Sequence, residues 1–237
     1  MAPRRSDAGR FEGFPPEAVR FLAELEKHNG RPWFQANKGR YEEFIRGPAI
    51  RFIEAMAPLL ERISPFVYAD PSPQGGSLMR IYRDTRFSPD KQPYKTNVGI
   101  QFRHERGDDV HAPGLYFHID PKEFFLACGM WHPAAEALEA IRIRIAGRPD
   151  AWRKARDDKT FLRVWGGVTG DRLKRPPRGF DVGLAYIEDI KLKDFLGVVD
   201  LPRPLMHSPK LPQTVAKTFA AGSPLMKFLC DSLALPY

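Results

Sequence analysis

Residues 77–95 read SLMRIYRDTRFSPDKQPYK, and the hydrophobic pattern of the chain changes at this stretch. Before it, apolar residues recur at the spacing of helices; after it, apolar and polar residues alternate as they do in half-buried strands. The stretch also gathers cationic, acidic and aromatic side chains, namely Arg80, Tyr82, Arg83, Asp84, Arg86, Tyr94 and Lys95. It therefore indicates both the centre of the fold and the place where a site would lie.

Strand patterns occupy four segments in the middle of the chain, residues 78–83, 96–103, 115–120 and 123–131. Short connectors join the last three segments, as in antiparallel hairpins. Helical patterns precede this region and follow it. The sequence predicts an α+β fold in a single domain, residues 13–237, with a central antiparallel four-stranded meander and helices before and after it. Residues 1–12 are polar and basic, and we expect them to be disordered.

The alternation assigns each strand residue to one of two sheet faces. The face that we expect to join the core carries Met79, Ile81, Val98, Ile100, Phe102, Leu115, Phe117, Ile119, Phe124, Leu126, Cys128 and Met130. The other face carries Arg80, Tyr82, Asn97, Gly99, Gln101, Tyr116, His118, Phe125, Ala127, Gly129 and Trp131. Because three of these residues are glycine or alanine, this face is predicted to be a hollow ringed by aromatic and hydrogen-bonding groups. The alternative is that a helix from the first third of the chain packs closely on the small residues.

The composition is that of a globular protein with a basic surface. The 237 residues carry a formal net charge of +8, which favours anionic partners in general. The cations are scattered along the chain, so nucleic acid is an alternative partner that we do not favour. No apolar run is long enough to span a bilayer or to form a signal peptide, so we expect a cytoplasmic protein without membrane association. Cys128 and Cys230 lack metal-binding spacing and are predicted to be buried free thiols.

The cations of residues 77–95 suit an anion-binding site. Arginine offers a planar fork of donors to phosphate or carboxylate, and lysine offers a point charge. We therefore predict a site for an anionic small molecule, formed by Arg80, Tyr82, Arg83, Arg86, Tyr94, Lys95, Gln101, Tyr116 and Trp131. The alternative is a structural network in which Asp84 pairs with Arg83 or Arg86 and locks the loop to the sheet.

Two residues are weak candidates for catalysis. His118 shares the hollow face with Arg80 and Tyr116 and could act as a general base; the alternative is a histidine satisfied by neighbouring polar groups. Asp84 is the second candidate, but a carboxylate flanked by arginines stays ionised and is more naturally a structural partner. Residues 104–111 hold two histidines and two aspartates, a set that hairpin tips also carry for solvation, so we predict no metal site. No phosphate-binding loop, dinucleotide fingerprint or hydrolase elbow is present, and we predict no cofactor.

Several motifs together resemble a known family. They are Trp33-Phe34 with Asn37-Lys38 and Tyr41, RIYRDTRFSPDKQPYKT over residues 80–96, and Cys128-Gly129-Met130-Trp131. The combination resembles the bacterial and fungal family catalogued as domain of unknown function 2461, and LKRPPRGF over residues 173–180 extends the resemblance. The resemblance implies a single α+β domain and brings no activity that could be transferred to this chain.

Two functions fit these residues. The first is a binder of, or an enzyme acting on, a phosphorylated or carboxylated small molecule held over the hollow face. The second is a binding module for nucleic acid or an acidic protein, which would use the same cations with the basic loop 171–179. A concave, partly enclosed cluster would favour the first, and an exposed basic stripe from Arg80 to Arg178 would favour the second. A third alternative is that the arginine network is structural and the working surface lies elsewhere.

Overall fold

The computed structural model describes residues 9–86, 88–106 and 112–237. Four helices precede the sheet: α1 Pro16–Lys27, α2 Arg31–Ala36, α3 Lys38–Tyr41 and α4 Gly47–Leu60, with a π-helical turn at Glu42–Arg46 before α4. Six follow its first four strands: α5 Ala135–Gly147, α6 Pro149–Arg156, α7 Lys159–Trp165, α8 Ile187–Ile190, α9 Leu211–Ala220 and α10 Ser223–Ser232, with a 3-10 turn at Arg203–His207 before α9.

The sheet has five strands in sequence order, and every neighbouring pair is antiparallel. The strands are β1 Val67–Tyr68, β2 Val98–His104, β3 Gly114–Ile119, β4 Phe124–Met130 and β5 Phe195–Asp200. Strands β2 to β5 form a four-stranded meander, and β1 adds two residues at its edge. The predicted α+β fold with a central antiparallel meander and helices on both sides of it in sequence is therefore confirmed.

Two of the predicted elements were wrong in detail. Residues 78–83 form only isolated bridges, Leu78 with Ile100 and Tyr82 with Tyr94. The segment begins to pair with the edge of β2 and then changes partner to residues 93–95, where Pro93 has no amide hydrogen to donate. The fourth strand of the meander is instead β5, Phe195–Asp200, which lies outside the four predicted strand segments.

The helices cover one face of the sheet. The strand residues assigned to the core on β2, β3 and β4 are all at most 3% exposed. Phe52 of α4 packs on Phe117 with ring centroids 4.6 Å apart, and Phe219 of α9 and Trp152 of α6 contact Phe102 and Phe195. Each of these rings removes a large apolar area from water, which is the main favourable term in folding.

The core assignment fails at Met79, which lies on the opposite side of the sheet. Its sulfur is 2.9 Å from the position that a Cβ on Gly99 would take, and Gly99 belongs to the face predicted to be hollow. The reason is that residues 78–83 are not a regular strand, so strict alternation does not apply to them.

Predictions were also made for the N-terminal residues and for the two cysteines. Of the segment 1–12, residues 9–12 are described, and Phe11 is buried against Phe14 and Phe52. Cys128 and Cys230 are buried free thiols, as predicted. In the described part of the chain, no helix has the length and apolarity needed to cross a membrane.

Candidate functional site

A pocket of about 890 Å³ lies over the sheet face opposite the helical core. Four neighbouring strands supply its floor: Gln101, Gly114, Tyr116, His118, Phe125, Ala127, Gly129, Leu196, Val198 and Asp200. Its walls include Met79, Arg83, Asp84, Lys95, Asn97, Glu123 and Trp131. None of the lining residues that the structure describes belongs to a helix, so the alternative of a helix packed on the small residues is wrong.

The structure brings many of the predicted site residues into this pocket and leaves others outside it. Those that line the pocket are Arg83, Asp84, Lys95, Gln101, Tyr116, His118 and Trp131; those that do not are Arg80, Tyr82, Arg86 and Tyr94. Arg80 and Tyr82 were expected on the hollow face from strand alternation, which residues 78–83 do not follow.

Tyr94 has a structural position. It is 2% exposed, and its ring stacks on Phe34 with centroids 4.2 Å apart. The Asn29 side-chain amide donates to the Tyr94 carbonyl oxygen and accepts from the Tyr94 amide, each at 3.0 Å. Tyr82 covers the outer side of this aromatic stack and is half exposed. These contacts fix the chain just before Lys95.

The predicted arginine–aspartate network exists in part. Arg86 donates to Asp84 at 2.7 Å, and this hydrogen bond holds the pKa of Asp84 down at about 2. Arg83 pairs with Asp90 rather than with Asp84. The Arg83–Asp90 pair joins the two sides of the loop, whereas the Asp84–Arg86 pair links residues only two apart. They therefore leave Asp84 as an ionised structural partner and not as a general base.

Lys95 differs from the other cations of the pocket. Burial lowers its pKa from the ordinary value, and the nearby positive charge of Arg80 lowers it further. Within the described ranges, its ammonium group has no hydrogen bond and no ion pair with a carboxylate. A partly buried cation without a counter-charge is held in a state that an anionic ligand would stabilise.

A chain of three hydrogen-bonded side chains runs along the pocket face of β3. The Tyr116 hydroxyl lies 3.0 Å from His118 Nδ1, and His118 Nε2 lies 3.1 Å from Asp120 Oδ2. The His118 ring also stacks on Phe125, with centroids 4.5 Å apart. Residues two apart on a strand share a face, which is why the spacing Tyr-x-His-x-Asp places all three in line.

The protonation of this chain follows from Asp120. Burial alone would raise the pKa of Asp120, but hydrogen bonds from the Glu123 amide, from His118 and from the Lys122 amide together lower it. Asp120 is therefore an ionised acceptor for a hydrogen on His118 Nε2, and in the tautomer that carries its hydrogen there, Nδ1 accepts from the Tyr116 hydroxyl. Burial, followed by the charge of Asp120, raises the pKa of Tyr116 to about 12, so this hydroxyl remains a donor.

The same end of the pocket holds acidic residues that sequence reasoning missed. Glu123 immediately precedes β4 and Asp200 ends β5, and both line the pocket. His118, Asp120 and Glu123 each offer a metal-ligand atom, and these atoms all lie within 4.8 Å of one another. The i, i+2 spacing of His118 and Asp120 was a usable signal in the sequence. Asp200 had none, because β5 was not recognised as a strand.

A family model matches residues 17–228, from α1 to α10, and its description is conserved hypothetical protein, DUF2461. The chain belongs to the DUF2461 family. The match spans the residues that line the pocket and confirms the resemblance carried by the motifs. No curated protein and no solved structure matches the chain.

Two other segments singled out in the sequence contribute none of the described residues that line the pocket. Residues 107–111 of the histidine- and aspartate-containing loop fall outside the described residues, and His104 is buried with its Nε2 bonded to the Pro236 carbonyl at 2.7 Å. In the basic loop 171–179, the exposed side chains of Lys174, Arg175 and Arg178 do not line the pocket.

Proposed function

We propose that this member of the DUF2461 family binds a small organic molecule with a carboxylate or phosphate group in the pocket over the sheet. The observation that carries the proposal is Lys95, a partly buried cation that lines the pocket and has no counter-charge among the described residues. Arg83 lines the same wall and adds a second cationic group, although it is already paired with Asp90.

The size and lining of the pocket support a small-molecule ligand. Sites for drug-sized ligands usually enclose about 300–1,000 Å³ and are mostly apolar, with a few polar groups that set orientation. The pocket here measures about 890 Å³. Phe125, Leu196 and Val198 supply an apolar floor, while Gln101 and Asn97 supply amide donors and acceptors in the same pocket as Lys95. A ligand with an apolar body and one anionic end fits this arrangement.

The reactive groups on the floor support chemistry as well as binding. The ionised Asp120 orients His118, which in turn accepts from the Tyr116 hydroxyl. A hydroxyl coupled to a base in this way can pass a proton to or from a bound molecule. Tyr116 and His118 line the pocket that Lys95 also lines, so an anion held by Lys95 would place its apolar body over the same floor.

The nucleic-acid alternative has weaker support. Recognition of a nucleic-acid backbone requires cations on an open surface. Arg83 and Lys95 instead line the wall of a concave pocket, and the basic side chains of the loop 171–179 lie outside it. We therefore keep oligonucleotide binding as an outcome of the test and not as the proposal.

The test is a thermal-shift screen of the wild-type protein, Lys95→Met and a matched control, Lys227→Met. Lys227 is an exposed lysine on α10, so its replacement removes one positive charge away from the pocket. The panel holds inorganic phosphate, sugar phosphates, nucleotides, aromatic and aliphatic carboxylates, and short oligonucleotides at two salt concentrations. A ligand present at a hundred times its Kd adds about 2.7 kcal/mol of stability.

We expect one class of small anion to raise the Tm of the wild type and of Lys227→Met by several degrees, and to leave that of Lys95→Met unchanged. Equal shifts in all three proteins would contradict the assignment of Lys95. Shifts caused only by oligonucleotides and fading steeply with salt would contradict the small-molecule function and support the alternative.

A further inference from the structure

We propose that His118, Asp120 and Glu123 form a binding site for a divalent transition-metal ion, with Zn²⁺ as the ion of choice. One imidazole nitrogen and two carboxylate oxygens make a ligand set used by zinc and by manganese or iron at sites with open coordination positions. The three ligand atoms lie within 4.8 Å of one another. The inference goes beyond the binding of an organic anion, and its test uses the metal ion alone.

The β3–β4 turn places the three ligands on one face. His118 and Asp120 are two residues apart on β3 and its end, so their side chains lie on the same side of the sheet. The Asp120 amide donates to the Glu123 carbonyl oxygen at 2.9 Å, which pairs these two residues across the turn. The site therefore rests on a short hairpin and not on a flexible loop.

Asp120 is held in an orientation that suits a ligand. Its Oδ1 accepts from the amides of Lys122 and Glu123, each at 2.6 Å, and this leaves Oδ2 facing His118 Nε2 at 3.1 Å. A metal ion between these two atoms would replace one hydrogen bond with two stronger bonds. Zinc bonds of about 2.0–2.2 Å place neighbouring ligand atoms about 3–4 Å apart. The present separation is thus close to that of a loaded site.

Glu123 completes the set at little structural cost. Its side chain is exposed, and its carboxylate takes part in no hydrogen bond or ion pair with the residues that the structure describes. It can therefore rotate toward the other two ligands without breaking a contact. Since His118 and Glu123 both line the pocket, the remaining coordination positions of the ion would face the pocket.

The hydrogen bond behind His118 also fits a metal ligand. A metal-bound histidine normally donates its other ring N–H to a neighbouring acceptor, which fixes the ring and its tautomer. The Tyr116 hydroxyl lies 3.0 Å from His118 Nδ1 and can accept as well as donate. Metal at Nε2 would move the hydrogen to Nδ1, so the loaded and metal-free states have opposite tautomers of the same histidine.

Charge in the pocket gives an independent reason for a cation at this end. Asp84 and Asp90 are each paired with an arginine, whereas Glu123 and Asp200 line the pocket without an ion pair among the residues described. Unpaired carboxylates would repel the anion that Lys95 attracts. A divalent ion held by Glu123 would offset this charge and provide a second attraction for an anionic ligand.

The experiment is a calorimetric titration of the chelator-treated full chain with Zn²⁺, together with NMR of the histidine ring nitrogens. Four variants accompany the wild type: Glu123→Gln, His118→Gln, Tyr116→Phe and the control His132→Asn. His132 is an exposed histidine beside Asp194 and lies outside the triad. It has a left-handed backbone conformation (φ 47°), which asparagine tolerates.

We expect one equivalent of Zn²⁺ to bind the wild type and His132→Asn with the same affinity. Glu123→Gln should bind at least tenfold more weakly, Tyr116→Phe about tenfold more weakly, and His118→Gln should not bind at this site. In the NMR spectrum, Zn²⁺ should move the His118 ring hydrogen from Nε2 to Nδ1. Because Glu123 is exposed and its carboxylate makes no hydrogen bond or ion pair in the described chain, its variant tests the site with little effect on folding.

Three results would overturn the proposal. They are the absence of a stoichiometric Zn²⁺ site in the wild type, an unchanged affinity in Glu123→Gln, and a His118 ring that keeps its hydrogen on Nε2 at saturating Zn²⁺. None of these results bears on whether Lys95 holds an organic anion, so the two proposals can fail separately.

Discussion

Lys95 is a residue whose charged form is disfavoured by burial in the protein without a ligand. Because burial lowers its pKa from 10.5, the folded state binds fewer protons at this group than the unfolded state. The free energy of unfolding therefore carries a penalty at neutral pH that is relieved as the pH rises toward 10.5. Functional groups are often held in such unfavourable states, which is the physical basis for reading them as sites.

The first prediction concerns this penalty. Lys95→Met should be more stable than the wild type at pH 7, and the difference between the two proteins should shrink as the pH approaches 10. Urea unfolding of both proteins between pH 7 and pH 10 measures it. The difference between the wild type and Lys227→Met should stay constant over the same range. If the difference in free energy of unfolding between the wild type and Lys95→Met does not change with pH, burial of the Lys95 charge does not destabilise the fold.

Asp194 stabilises the fold through hydrogen bonds between its side chain and the backbone. It is 3% exposed and accepts from the backbone amides of His132 at 2.7 Å and Asp171 at 3.3 Å. These bonds tie the end of β4 to the segment that precedes β5. Loss of this buried carboxylate would remove the hydrogen-bond acceptor of both amides at once.

The second prediction is that Asp194→Ala lowers the free energy of unfolding by about 2–3 kcal/mol. The matched control is Asp171→Ala, which removes an exposed aspartate 3.5 Å from Lys193. That surface pair is worth at most about 0.5–1 kcal/mol. Urea denaturation of the two variants gives the comparison directly. Equal losses would mean that the Asp194 bonds do not hold this part of the fold.

Among the elements, β2, β3 and β4 could be predicted from the sequence and β5 could not. The first three alternate strictly and are joined by short connectors, so both their faces and their neighbours follow from local pattern. Strand β5 pairs with β4 across about 65 residues, and its partner is set by packing that no local window contains. The strand predicted for residues 78–83 was wrong for the opposite reason. The pattern of these residues is strand-like, but their backbone hydrogen bonds change midway from β2 to residues 93–95.

Strand β5, which was not predicted, also explains why residue 129 is a glycine. Gly129 was expected to leave a hollow floor, and it does line the pocket, but its backbone has φ 124° and lies against β5. A Cβ at this position would collide with the Phe195 carbonyl oxygen. The glycine is thus required by the β4–β5 pairing as well as by the shape of the pocket.

The third prediction follows at the level of this strand pair. Gly129→Ala should lower the free energy of unfolding by about 3 kcal/mol or more, because the left-handed backbone and the clash with Phe195 act together. Gly147→Ala, at the end of α5 with no atom within 4 Å of the added Cβ, should be neutral or stabilising by up to about 1 kcal/mol. Thermal or urea unfolding of the two variants measures the difference between their stabilities. A tolerated Gly129→Ala would mean that β5 moves away from β4 at little cost.

The pocket itself is a property of the whole molecule. The sequence predicted a hollow face and much of its lining, from Gln101 to Trp131, because alternation and small side chains are local signals. It did not decide whether a helix would fill the hollow, since that depends on how all the helices pack. They pack on the other face, around Phe52, Phe102 and Phe117, and the meander is left with one face open. An antiparallel sheet can keep one such face toward solvent.

Three tyrosines in different parts of the molecule, the buried Tyr41 and the half-buried Tyr116 and Tyr237, make its stability sensitive to alkali. Burial is the main reason that the pKa values of Tyr41, Tyr116 and Tyr237 are each raised from 10.0 to about 12. Above pH 10 the unfolded chain loses these protons and the folded chain keeps them, so the folded state binds more protons. The free energy of unfolding must therefore fall as the pH rises from 10 toward 12.

The fourth prediction is the size of this fall. Each of the three tyrosines should contribute a slope of up to about 1.4 kcal/mol per pH unit between pH 10 and pH 12. Tyr41→Phe should reduce the total slope by one such contribution, whereas Tyr68→Phe, at a side chain that is half exposed, should leave it unchanged. The buried thiols of Cys128 and Cys230, whose pKa values burial also raises, add to the slope equally in all these proteins. Urea unfolding at several pH values, followed by far-UV circular dichroism, measures the slopes. If the free energies of unfolding of Tyr41→Phe and the wild type fall with the same slope, ionisation of the buried Tyr41 hydroxyl does not contribute to alkaline unfolding.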